Sequence, residues 1–102
     1  MNARLQIEAE LARAETARAE GNEGMARVCA RRAAGLAVGG GPRLSAVDRL
    51  RALAADGTVP GEVRQAAERL TARLRPDHTL PFEADPLEDA RLIVRHFLPA
   101  QS

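Results

Sequence analysis

Glycine and proline divide this chain into short segments, and their placement constrains the fold more than any other feature. Gly39-Gly40-Gly41-Pro42 is the sharpest break. Three glycines are too costly inside a helix, and proline blocks its continuation. Gly21-Asn22-Glu23-Gly24, Asp56-Gly57, Pro76 and Pro99 mark four more boundaries. The stretches between them are rich in Ala, Arg, Glu and Leu, which is helix composition. None alternates apolar and polar residues as a half-buried strand does. The spacing predicts helices over 3–20, 23–38, 44–55, 60–75 and 86–98. The fold class is therefore all-α: a compact bundle of about five helices built from antiparallel hairpins. A chain of 102 residues fits one domain, 1–102.

Start signals support these segments. Asn22 and Ser45 are side chains that cap helices, and Ser45-Ala46-Val47-Asp48 resembles a capping box. Asp85, Pro86 and Glu88 form the strongest start, with Asp85 as cap and Pro86 at the first position. The stripes set the expected core. In the first helix Ile7, Leu11 and Ala14 share a face with Ala3, and Leu5 falls outside it. In the second, Met25, Val28, Cys29 and Leu36 make one stripe, and Ala26, Ala30, Ala33 and Ala37 an adjacent one. Glu23 and Arg27 are spaced for an ion pair. Leu44, Val47, Leu50, Leu53 and Ala54 point inward from the third. Val63, Ala67, Leu70 and Leu74, with Ala66, give the fourth the cleanest stripe. Leu80 and Phe82 pin the connector at 77–85 to the core.

The last helix is apolar around most of its circumference. Leu87, Ala90, Leu92, Ile93, Val94, Phe97 and Leu98 extend well beyond one stripe. Such a helix is either central or shared with a second subunit. Aromatic residues are only 2% of the chain, so the core relies on Leu, Val, Ile and many Ala, and Ala buries little area. A small domain with thin stripes gains most from a partner. These points predict a homodimer, with Leu92, Ile93 and Phe97 as interface candidates, and leave room for another protein partner.

Charge and chemistry exclude more than they assign. Fifteen basic residues, all Arg, face fourteen acidic ones, for a net charge of +1. That balance disfavours a nucleic-acid partner, which calls for a clustered basic face, although Arg27, Arg31 and Arg32 are close enough together to touch phosphate. The near absence of aromatics removes base-stacking platforms. One cysteine, Cys29, precludes an internal disulfide and a multi-cysteine zinc site, and reads as a small buried hydrophobe. The imidazoles are His78 and His96, and His78 sits in the connector. No spacing suits a metal, and no cofactor is expected: the glycines at 39–41 lack the Lys and Ser/Thr of a phosphate loop. The N-terminus has no apolar signal core, and no run approaches the roughly 18 residues of a membrane span, so the expected location is cytoplasmic.

One constellation points elsewhere. Arg91-Leu-Ile-Val-Arg95-His96 fits R-x-x-x-x-H and resembles the ribonuclease motif of the HEPN superfamily, small helical bundles that are often dimeric. The Ala-rich first hairpin, with its Gly-containing turn, has a similar look, so the resemblance covers about 3–38 and 86–98. It implies RNA cleavage by Arg91 and His96. The same motif carries Leu92 where that family commonly has a polar residue, and Arg73 and His78 match the spacing across Pro76. Gly21, Ala26, Ala30 and Ala33 are also spaced like the small residues of a tetratricopeptide repeat, but its large aromatic positions and a second copy are missing. The residues therefore support a non-enzymatic, self-associating interaction or accessory module with no favoured catalytic residue. The alternative is a HEPN-type ribonuclease.

Overall fold

The computed structural model describes residues 3–41, 43–73, 75–77 and 84–98. These form five helices: α1 (Ala3–Ala19), α2 (Glu23–Val38), α3 (Ala46–Ala54), α4 (Gly61–Thr71) and α5 (Pro86–Phe97). The architecture is an all-α bundle, and the described residues contain no strand.

Local chemistry explains each boundary. At the end of α1, Asn22 N–H donates to the Ala17 carbonyl and Gly21 N–H to that of Arg18. This paired closure requires the left-handed backbone that Gly21 adopts at φ 79°. The Asn22 side chain then accepts from Met25 N–H and opens α2. Ser45 caps α3 through Asp48 N–H. Pro60 precedes α4 and offers its carbonyl to Val63 and Arg64. Asp85 accepts from the N–H groups of Leu87 and Glu88, as its position predicts. The Glu88 carboxylate, instead of closing a box, accepts from Arg91.

Helix α2 is the hub. It packs most extensively on α1 and also on α5 and α3, and α4 bridges α3 and α5. One core cluster joins Ala30 and Ala34 of α2 to Leu50, Leu53, Val63, Ala66, Ala67, Leu70, Ala90 and Ile93. A smaller one joins Ala14, Cys29 and Leu87. Gly35 marks the closest approach: a Cβ there would lie 2.8 Å from Ala46 Cβ and 2.9 Å from its Cα.

Several expectations need correction. The buried residues of α2 are Ala26, Arg27, Cys29, Ala30, Ala33, Ala34 and Gly35, so of the larger stripe Cys29 is buried as expected. Met25 is 47% exposed, because it lies in the first turn of α2, while Val28 and Leu36 of the same stripe are half-buried. Leu44 precedes α3 and is 46% exposed, and Leu5 is 57% exposed as its position implies. Helix α4 ends at Thr71, short of 75, because its last carbonyls are claimed by arginines of α2. Leu74, His78, Leu80 and Phe82 lie outside the described residues.

Candidate interaction surfaces

Three regions collect the polar groups of the molecule. The first is structural. Arg27 is only 7% exposed and donates from Nη2 to the carbonyls of Arg69 and Ala72, at 2.6 and 3.2 Å. Arg31 Nε donates to Leu70 O at 2.6 Å. Two cations thus satisfy carbonyls at the negative end of α4. Burial pushes both guanidinium pKa values down, and for Arg27 the neighbouring Arg31 adds to the effect. Arg69 in turn forms a forked pair with the buried Asp89 of α5, at 2.8–3.1 Å. Arg27 and Arg31 are therefore engaged with α4. Glu23 pairs with Arg18 rather than with Arg27. A charged residue in an otherwise Ala-lined helix face is the sequence signal for this arrangement.

The second region is the groove between α1 and α5, two helices that touch little along their length. Ion pairs hold its edges: Arg18 with Asp85 at 2.9 Å, and Arg91 with Glu15. The Arg18 guanidinium and the capped N–H groups of α5 hold the Asp85 carboxyl below the ordinary carboxylate range. A cavity of about 230 Å³ lies in this groove, lined by Ile7, Leu11, Arg91, Val94, Arg95 and Leu98. Arg91 is engaged by two carboxylates, Glu15 and Glu88. His96 does not line this cavity; it is exposed and packs edge-on against Phe97, with ring centroids 4.8 Å apart. Five residues apart on a regular helix means about 140° of rotation, so α5 sends the two side chains to different faces. The three interface candidates fare differently. Ile93 is enclosed by its own chain, and Leu92 and Phe97 are half-buried against the same core. The apolar excess of α5 is taken up largely by α2 and α4.

The third region is the outer face of the α1–α2 hairpin. Met25, Cys29, Arg32 and Leu36 follow one another at alternating spacings of four and three, the seam of a helix that packs on another. Exposed Leu5, Ala9, Ala12 and Thr16 repeat that spacing on α1. Two adjoining cavities run along this face and share Arg32. One, of about 350 Å³, is lined by Ala12, Thr16, Ala17, Met25 and Cys29 among others; the second, of about 260 Å³, by Glu10, Leu36, Leu44 and Arg49 among others. Cys29 is buried at the floor of the first. Glu10 and Arg49 each keep a buried polar atom, Oε2 and Nε, without a hydrogen-bond partner. Glu10 and the α1 stripe escaped sequence reasoning, because alanine and threonine at this spacing carry no strong apolar signal.

Among the described residues, no three His, Cys, Asp or Glu side chains cluster as metal ligands, and no helix is long and apolar enough to cross a membrane. No family model, curated protein or solved structure matches the chain.

Proposed function

We propose that this protein is a non-enzymatic helical interaction module that works by self-association, with the outer face of the α1–α2 hairpin as its contact surface. The observation that carries this reading is the pair of adjoining cavities bordered by exposed Met25 and Arg32 and half-buried Leu36. Exposed apolar side chains such as Met25 and Leu44 beside polar-rimmed grooves mark interaction sites, and a closed twofold pair is their commonest solution. The scattered chemistry also supports the reading. Cys29 is buried, Arg91 is held by carboxylates, and His96 faces away from it.

Light scattering after size exclusion tests the proposal. A mass of twice the 10.9 kDa chain is expected, falling to the single-chain mass in Met25→Glu or Leu36→Glu with helicity kept. Leu92→Glu, in contrast, perturbs the core of each chain. A single-chain mass at all concentrations overturns the reading. Purified protein is also expected to leave RNA intact, with Arg91→Ala and His96→Ala indistinguishable from wild type. RNA cleavage abolished by either change would replace the module with the HEPN-type alternative.

A further inference from the structure

Two charged side chains border the groove between α1 and α5 without a partner in the chain. Glu8 of α1 and Arg95 of α5 are both exposed, and both line the cavity of about 230 Å³ that lies there. Neither forms an ion pair among the described residues. The other cations at the mouth differ: Arg91 is held by Glu15 and Glu88, and Arg4 is engaged. The pairs Arg18–Asp85 and Arg91–Glu15 set an antiparallel register, in which moving back along α1 advances along α5. Continued by about two turns of α1, that register brings Glu8 to the height of Arg95. A third ion pair would complete the series; instead each side chain borders the cavity from its own helix. The walls are aliphatic, with Ile7 and Leu11 from α1 and Val94 and Leu98 from α5. Ile7 is buried and the other three are half-buried. The volume falls below the roughly 300–1,000 Å³ of pockets for drug-sized ligands, so it suits a molecule of a few carbons.

We infer that this groove binds a free aliphatic α-amino acid between Glu8 and Arg95. The ligand carboxylate accepts from the forked guanidinium of Arg95, and its ammonium donates to the Glu8 carboxylate. Its branched side chain lies on Leu11 and Val94 and removes their exposed apolar surface from water. The zwitterion satisfies both unpaired groups and takes no group of the chain from an existing partner. A simple aliphatic carboxylate would leave Glu8 facing a like charge, and an aliphatic amine would do the same to Arg95. This site is independent of the self-association proposed above, whose surface is made by α1 and α2.

Titration of isotopically labelled protein with L-leucine tests the site by amide chemical shifts. Saturable shifts are expected from Ile7 to Leu11 and from Val94 to Leu98. Isocaproate, which lacks the ammonium, and isoamylamine, which lacks the carboxylate, should each bind about tenfold or more weakly than leucine. Glu8→Gln and Arg95→Gln change exposed side chains, where substitution leaves the fold intact. Each should weaken leucine by about tenfold or more. Glu8→Gln should leave isocaproate no weaker, and Arg95→Gln should leave isoamylamine no weaker. The fragment comparison needs no variant, so it stands whatever either substitution does to folding. No saturable shift at tens of millimolar leucine, a fragment that binds as tightly as leucine, or leucine binding unchanged in either variant overturns the inference and leaves the self-association reading standing.

Discussion

The two sides of α2 meet opposite fates. Its inner side, with Ala26, Ala30, Ala33, Ala34 and Gly35, is buried among the helices packed on α2, namely α1, α5 and α3. Its outer side, Met25, Arg32 and Leu36, borders open grooves with larger side chains. Apart from Arg27, whose guanidinium is used by α4, the inner side chains are the small ones. On α2 the close approach of α3 selects small side chains, as at Gly35 against Ala46, while Leu50, Leu53, Leu70 and Ile93 of the neighbouring helices fill the core.

The contrast is sharpest where the inner side is tested by truncation. Leu70 is fully buried in the cluster that faces Ala30 and Ala34. Leu70→Ala should cost about 2–5 kcal/mol, read as a drop in the chemical-denaturation midpoint. A loss below about 0.5 kcal/mol would make α4 peripheral and the inner side unexceptional. Gly35→Ala probes the close approach itself. Helix propensity favours alanine by about 1 kcal/mol, but the new Cβ meets Ala46 at backbone distance, and overpacking of this kind costs about 1–3 kcal/mol. The expected result is a net loss; a gain of about 1 kcal/mol would show that the α2–α3 crossing is loose. The smallest effect comes from the ion pair tying α1 to α5. Asp85 titrates lower in the folded chain than in the unfolded one, chiefly through Arg18. Its stabilisation is complete above the ordinary carboxylate value near 4 and is lost as pH falls through the depressed folded value. The thermal midpoint should fall below about pH 4, and Asp85→Asn should lower it at neutral pH and flatten its acid dependence.

Much of the fold was legible because its boundaries are set by local chemistry. Gly21, Asn22, Ser45 and Asp85 close or open helices by hydrogen bonds within a few residues, and each does so as its position implies. The faces were less legible. Met25 and Leu44 read as inward because size was taken for burial, whereas the packing of α3 and α5 on α2 is decided by distance between helices. The shortened end of α4 depends on Arg27 and Arg31, many residues away in sequence. The apolar breadth of α5 is legible, but two neighbouring helices of the same chain cover most of it. Nothing local announces that Arg91 will be held by Glu15 of α1, or that Glu10 will lack a partner for one oxygen.

The outer side of the α1–α2 hairpin is the proposed contact surface. Amide chemical shifts recorded through a dilution series map that surface directly. Concentration-dependent shifts are expected along the stripe from Leu5 to Thr16 and from Met25 to Leu36, with the amides of α4 unmoved. Shifts centred on α5, or none from micromolar to millimolar protein, would contradict the account.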